Sequence, residues 1–144
     1  MSNFFTDQES DTIVKVICDI ESSTVGELRV HIEDLCPDSP IDRAVEIFNK
    51  LEMYRTEHKT GILIYIATED HKLAIIGDKG IHSIVGNDYW EYIMNDMKSK
   101  FASDSIYSGV LNGVKAVGEK LKEHFPEKRI PDNELSNEIS YGEI

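Results

Sequence analysis

Several features that direct other sequences to a function are rare or missing in this chain. It has two cysteines, Cys18 and Cys36, which are too few for a zinc ribbon and fit free thiols in a reducing compartment. No apolar run approaches the roughly 18 residues of a membrane span. The N-terminal MSNFFTDQES also has neither the basic start nor the apolar segment of a secretory signal. We therefore expect a cytoplasmic protein without membrane insertion.

Basic residues are scarce as well. The 144 residues contain 27 Asp and Glu against 15 Lys and Arg, which gives a formal net charge of −12. Such a charge repels nucleic acid and anionic membranes, and it raises the local concentration of cations. With 40% hydrophobic residues, the length suits one domain over residues 1–126. The acidic remainder, 127–144, is expected to form a disordered tail.

Familiar catalytic motifs are missing too. The chain has no Gly-rich phosphate loop ending in Gly-Lys-Ser/Thr, no His-Glu-x-x-His and no Gly-x-Ser-x-Gly. Cys36 and Arg43 are separated by six residues, one more than the phosphate loop of cysteine phosphatases has. The sequence therefore supplies no dedicated nucleophile, and it leaves open whether the protein is an enzyme.

Hydrophobic periodicity predicts helices and strands in alternation. A capping-box pattern at Thr6 and Glu9 precedes a first helix over 7–22, and Ser39 with Pro40 begins a second. Two later helices are predicted to start at Asn87 or Asp88 and at Asp104 or Ser105, and the last ends before Pro126. Strands are predicted in the segments 28–32, 62–66 and 73–76.

The connections between these strands predict a mixed sheet. A helix joins the first two strands, which should therefore be parallel. The short turn Thr68–Lys72 suits a hairpin, so the third strand should be antiparallel to the second. The resulting order is α-β-α-β-β-α-α.

This topology predicts that polar residues meet at one edge of the sheet. The third strand ends at Gly77-Asp78, which would lie beside the starts of the first two strands. The residues expected there are the acids Glu27, Asp78 and Asp88 and the bases His58, Lys59, Lys79 and His82. Because Ca²⁺ and Mg²⁺ bind through several oxygen ligands, the acids predict a divalent-cation site at this edge.

Each of these residues also has a simpler structural interpretation. Asp78 lies in a Gly-Asp-Lys-Gly turn, where an aspartate often bonds its own backbone. Asp88 can cap a helix or complement its dipole, and Glu27 can be an exposed strand residue. The histidines and lysines can be solvated, and Trp90 is expected in the core. The sequence alone does not decide between these interpretations and the cation site.

The order and spacing of several segments resemble the TPM domain family. The matching segments are Thr24–Glu33, Met53–Ala67, Leu73–Ile84 with its GDKGIH, Val85–Trp90 and Gly118–Pro126. The resemblance implies a three-layer α/β/α sandwich, in which a small twisted mixed sheet carries helices on both faces. This architecture agrees with the predicted order of elements.

The resemblance also implies activities. A plant thylakoid member is an acid phosphatase, and divalent cations bind at acidic loop residues in the family. Carried over to this chain, this implies Asp78 and Asp88 as ligands, with Glu27 less securely aligned, and His82 or Lys79 as candidate catalytic groups. Relatives commonly have Arg-Asn where this chain has Lys59-Thr60, which would weaken a site that uses the asparagine. Longer relatives carry a signal peptide and a membrane anchor, so their locations are not transferred.

Three functions are consistent with the sequence. The leading hypothesis is a domain that binds Ca²⁺ or Mg²⁺ at the acidic edge of the sheet. The second is a metal-assisted phosphatase acting on phosphate monoesters. The third is a non-catalytic module whose tail orders on a partner protein through the apolar residues Ile130, Leu135, Ile139 and Tyr141.

Overall fold

A mixed sheet with helices on both faces forms the fold within residues 4–126 and 138–142, which the computed structural model describes. In this part of the chain the sheet has four strands, in the order β3-β2-β1-β4. The strands are β1 (Glu27–Glu33), β2 (Gly61–Ala67), β3 (Lys72–Gly77) and β4 (Ser140–Tyr141). The helices are α1 (Asp7–Glu21), α2 (Pro40–Lys50), α3 (Lys79–Val85), α4 (Asn87–Ser103) and α5 (Ile106–His124), with a 3₁₀ turn at Met53–Arg55.

The first two helices begin where their capping residues predict. The Thr6 hydroxyl accepts a hydrogen bond from the Glu9 amide at 3.1 Å, and the Glu9 carboxylate accepts one from the Thr6 amide at 3.1 Å. This reciprocal pair is a capping box. Ser39 caps α2 by accepting a hydrogen bond from the Asp42 amide at 3.2 Å, and Pro40 occupies the first turn.

Strand pairing follows the predicted connections. β1 and β2 are parallel, with Glu27 opposite Gly61 and Glu33 opposite Ala67. β2 and β3 are antiparallel, with Ile62 opposite Gly77. The end of β3 therefore lies beside the start of β2, as the sequence predicted.

Side chains alternate between the two faces of the sheet and bury separate cores. One face of β1 and β2, from Leu28 to Ile32 and from Ile62 to Ile66 at every second residue, packs against α1, α4 and α5. The opposite face contributes Leu63, Tyr65 and Ala74 to a smaller core under α2. The fold is therefore the three-layer α/β/α sandwich expected above.

The C-terminal segment differs from the sequence-based prediction of a disordered tail. Ser140–Tyr141 forms β4 in parallel pairing with β1, and Ile139 is buried with 8% exposure. Apolar residues beside the free edge of β1 explain this order, because they bury surface while the backbone groups pair. Residues 127–137 and 143–144, with Ile130 and Leu135, lie outside the described residues.

Each helix in the described ranges is too short or too polar to cross a bilayer. Helix α5, the longest of those described, has 19 residues and contains several charged ones. This finding concerns residues 4–126 and 138–142 alone.

His31 holds the C-terminal strand to β1. The side chain is fully buried; its Nε2 lies 2.8 Å from the Gly142 carbonyl oxygen and its Nδ1 lies 2.8 Å from Ser140 Oγ. Since a carbonyl only accepts, Nε2 carries the proton and Nδ1 accepts from the Ser140 hydroxyl. Burial lowers the pKa of His31 and outweighs the opposing effects of nearby Glu33 and the Gly142 hydrogen bond, while Arg43 and Arg29 lower it further. His31 is therefore held in its neutral form.

We expect this histidine to make the fold less stable in mild acid. Below the ordinary pKa of 6.5, His31 takes up a proton in the unfolded chain but resists it in the folded one, so the free energy of unfolding falls as the pH drops through 6 towards the folded pKa. Urea unfolding at a series of pH values measures this slope. His31→Gln should remove most of it, whereas His58→Gln at an exposed position should keep it. Equal slopes in both variants would contradict the assignment.

An ion pair fixes α2 to the sheet. Arg43 Nε and Nη2 donate to the two Glu33 carboxylate oxygens at 2.8 and 2.7 Å, and the Tyr65 hydroxyl donates to the same carboxylate. Both charged residues are buried, with 3% exposure for Arg43 and 5% for Glu33. Burial alone would raise the pKa of Glu33, but the hydrogen bonds from Arg43 and Tyr65 lower it overall. Arg43 is thus engaged in holding α2 against the sheet.

Breaking this pair from one side should be costly. Arg43→Met leaves the Glu33 carboxylate buried without its counter-charge, and we expect a loss of about 3–5 kcal/mol in the free energy of unfolding. The double variant Arg43→Met with Glu33→Gln removes both charges of this pair and keeps an acceptor for Tyr65. It should recover much of the loss in chemical denaturation. A double variant less stable than Arg43→Met would contradict this account.

Candidate functional site

The candidate site is built on the corner Gly77–Gly80, between β3 and α3. The Asp78 amide donates to the Gly61 carbonyl at 2.9 Å, and the Gly80 amide donates to the Lys59 carbonyl at 2.8 Å. These bonds attach the corner to the start of β2. The predicted meeting of these two chain segments is therefore confirmed at the backbone.

Gly80 permits the closest approach in this corner. A Cβ atom at this position would lie 2.3 Å from the His58 carbonyl oxygen and 2.6 Å from that of Lys59. Both atoms belong to the backbone, so they cannot move aside as a flexible side chain would. The glycine therefore serves packing rather than a left-handed turn.

Asp78 combines a structural contact with a free carboxylate oxygen. It is the N-cap of α3, where its Oδ1 accepts a hydrogen bond from the Lys79 amide at 2.8 Å. Its Oδ2 is buried and has no hydrogen-bond partner among the described residues. The simpler interpretation from the sequence, a backbone-bonding turn aspartate, is therefore correct for one oxygen and leaves the other unexplained.

A cavity of about 380 Å³ opens beside this carboxylate. It lies between α2, the end of β3, α3 and the first turn of α4. Its apolar wall includes Ile41, Val45 and Phe48 of α2. The polar residues that line it are Asp78, His82, Asn87 and Trp90.

Trp90, which lines the same cavity, carries a buried donor without a partner in the described ranges. The residue is 2% exposed, as expected for a core position, but its Nε1 is buried without a hydrogen-bond partner among residues the structure describes. Its ring packs on the end of β3, because a Cβ atom at Gly77 would lie 3.5 Å from Trp90 Cζ2. Helical spacing predicts that Trp90 is buried, but it does not predict that the residue lines a cavity.

The three predicted acids do not gather around one basin. Asp88 is exposed in the first turn of α4 and lines a different cavity, with Tyr89, Tyr92 and Glu123 among its neighbours. Glu27 is 1% exposed rather than an exposed strand residue, and it already interacts with other groups of the protein. Across residues 4–126 and 138–142, no group of three or more His, Cys, Asp or Glu side chains is placed to hold a metal ion.

The predicted basic residues are also distributed. His82 is exposed on α3 and lines the cavity of Asp78, while Lys79 is exposed at the start of the same helix. His58 is exposed in the preceding loop, and Lys59 donates from Nζ to the Tyr54 carbonyl at 2.7 Å. Of the four, His82 is thus the one that shares a cavity with Asp78.

Thr60 has a structural contact of its own. The residue is 1% exposed, and its hydroxyl donates to the Val25 carbonyl at 3.1 Å. Its amide donates to the Thr56 hydroxyl at 3.0 Å. Thr60, at the position where the family resemblance implies an asparagine, therefore connects the loops before β1 and β2.

Comparison with known proteins supports the fold and the resemblance. The solution NMR structure of the BA42 protein from the psychrophilic bacterium Bizionia argentinensis is 37% identical, with a TM-score of 0.89 over 99% of this chain and 98% of that one. The N-terminal domain of a P. gingivalis protein, at 14% identity, has the same fold, with a TM-score of 0.76 over 90% of this chain and 84% of that one. No curated protein matches this sequence.

A family model identifies the domain. The model described as the TPM domain matches residues 1–120, which include the corner and every residue that lines the cavity of Asp78. The match at 37% identity covers nearly the whole chain. The chain therefore belongs to the TPM domain family.

Proposed function

We propose that this domain binds a divalent cation, Ca²⁺ or Mg²⁺, through Asp78 at the end of β3. The observation that carries the proposal is the buried Asp78 Oδ2, which has no hydrogen-bond partner among the described residues. A buried carboxylate oxygen is costly unless a donor or a cation compensates it. A bound cation would supply that compensation, and the net charge of −12 favours its approach.

The cavity favours a cation that keeps much of its water. Asp78 and Asn87 are the lining residues with carboxylate or carboxamide oxygens there. Mg²⁺ commonly binds through one or two carboxylates and retains several waters, and Ca²⁺ accepts a mixture of carboxylate, carbonyl and water oxygens. In this proposal Asp78 is the principal ligand, whereas Asp88 and Glu27 contribute only negative potential.

The test compares two aspartates that are close in sequence but line different cavities. Asp78→Asn keeps an N-cap side chain for α3 while it removes the charge. We expect it to weaken Ca²⁺ or Mg²⁺ binding by more than about tenfold, because a contact to a charged group contributes about 1.5–3 kcal/mol. Asp88→Asn is the matched control and should change the affinity by less than about threefold.

Backbone amide shifts on titration with each ion locate the site. Shifts should concentrate in residues 77–82 and at Asn87 and Trp90, including the indole N–H. Loss of binding in Asp88→Asn with retention in Asp78→Asn would overturn the assignment of the ligand. Absence of saturable shifts for both ions would overturn the proposal as a whole.

A phosphatase is the second candidate, and the position of His82 favours it. His82 lines the same cavity as Asp78, so a cation held there and a proton-transferring imidazole would face one substrate. The cation would polarise a phosphoryl oxygen while water attacks, with His82 or Lys79 assisting. The third candidate, a module that binds partners through its tail, is weakened because Ile139 and Tyr141 pack against the core.

Phosphate release from p-nitrophenyl phosphate with Mg²⁺ tests the second candidate. Activity should require the cation and should fall about 100-fold in His82→Gln, the lower range for removal of a general acid or base. His58→Gln removes an exposed histidine outside this cavity and should retain activity. Equal rates for the wild type, His82→Gln and Asp78→Asn would exclude a reaction at this cavity.

A further inference from the structure

A second cavity, of about 410 Å³, lies at the other end of the β2–β3 hairpin. It is formed by the end of β2, the start of β3, the last turns of α4 and the first residue of α5. Its apolar wall consists of Ile66, Leu73, Phe101 and Ile106, with Ala67 and Ala102. Its size falls in the range of pockets that hold small organic ligands.

The charged groups around this cavity are all potentially positive. His71, Lys72 and Lys98 line it, and neither aspartate nor glutamate does. None of the three forms an ion pair in the ranges that the structure describes. This local excess of basic groups contrasts with a chain that carries 27 acidic residues against 15 lysines and arginines.

The helix dipoles do not add to this positive charge. Helix α5 begins at Ile106 and α4 ends at Ser103, so the positive end of one dipole and the negative end of the other meet beside the cavity and oppose each other. The cavity thus combines an apolar wall with two lysine side chains and an imidazole. Together these features complement a molecule with an apolar body and one negative group.

We propose that this cavity binds a single-chain amphipathic carboxylate, a medium-chain fatty acid. The alkyl chain packs against Ile66, Leu73, Phe101 and Ile106, and the carboxylate lies between Lys72 and Lys98. Neutral chains lose the contact to the ammonium groups, and cationic chains are repelled by them. Small inorganic anions have no alkyl chain that could pack against the apolar wall, so they should bind weakly. The proposal is independent of cation binding at Asp78, which lies at the opposite end of β3.

Titration with decanoate at concentrations below micelle formation is the direct test. Methyl shifts in NMR spectra should be saturable and should concentrate at Ile66, Leu73 and Ile106, with no change at Ile41 or Val45 of the other cavity. In the series octanoate, decanoate and dodecanoate, each added methylene that reaches the wall should tighten binding about fourfold. Decanol and decyltrimethylammonium should bind more weakly than decanoate.

Three variants separate the charge from the wall. Lys72→Gln and Lys98→Gln should each weaken decanoate binding about two- to fivefold, the range of an exposed ion pair. Ala102→Phe places a ring at an exposed lining position and should block binding without disturbing the core. Lys100→Gln is the matched control, because Lys100 is exposed on α4 but does not line the cavity.

Four results would overturn the proposal. They are equal binding of decanol and decanoate, unchanged binding in Ala102→Phe, equal loss in Lys98→Gln and Lys100→Gln, and shifts confined to the cavity of Asp78. Tighter binding of a hydrophobic peptide with a free C-terminus than of any fatty acid would also reassign the site to a protein partner.

Discussion

The antiparallel hydrogen bonding between β2 and β3 determines which distant residues of this chain become neighbours. Because the chain reverses after Ala67, β3 ends beside the start of β2, and Asp78 reaches the Gly61 carbonyl. The same reversal places Lys72 and Leu73 beside the end of β2 at the opposite edge. A parallel third strand would exchange these two ends. The corner at Asp78 and the second cavity, here called the basic cavity because Lys72 and Lys98 line it, both depend on this one pairing.

The face of β1 that α2 covers explains why the C-terminal segment belongs to the domain. Its alternate residues are polar: Glu27, Arg29, His31 and Glu33. A polar row inside a protein needs partners, since each unpaired group would cost free energy. Arg43 and Tyr65 satisfy Glu33, and the C-terminal Ser140 and Gly142 satisfy His31. Strand β4 is therefore held by polar contacts as well as by Ile139.

Much of the fold could be predicted because its signals are local. Thr6, Glu9, Ser39 and Pro40 cap helices through neighbours in the sequence, and the lengths of the connections determine strand direction. Strand β4 has only two residues. Its pairing involves a contact between Ser140 and His31, which are 109 positions apart in the sequence. Helix α3 is missing from the predicted order of elements. Gly80 lies in its first turn, where glycine has low helix propensity, so the sequence signal for this helix is weak.

The candidate site was less accessible to sequence reasoning than the fold. Topology places Asp78 and Asp88 after the same strand, but it does not specify the direction of their side chains. That direction depends on how α3 and α4 are each rotated about their own axes. Gly86, with φ of 81°, separates the two helices, so one orientation does not determine the other. Asp88 consequently lines another cavity, whereas Trp90, which the sequence places only in the core, lines the cavity of Asp78. The helical spacing of Trp90 predicts burial but not the cavity that it lines.

The two ends of the β2–β3 hairpin place opposite demands on a ligand. At Asp78 the net charge of −12 favours a cation, so electrostatic attraction acts at long range as well as in contact. At Lys72 and Lys98 the same net charge repels an anion until it lies within about a Debye length of the lysines, roughly 8 Å at physiological ionic strength. The apolar wall must therefore supply most of the binding free energy there, and the ammonium groups select the sign of the head group. An anion without an alkyl chain is repelled by the net negative charge and gains no free energy from the apolar wall. The proposed ligand of the basic cavity is therefore an amphipathic molecule rather than free phosphate.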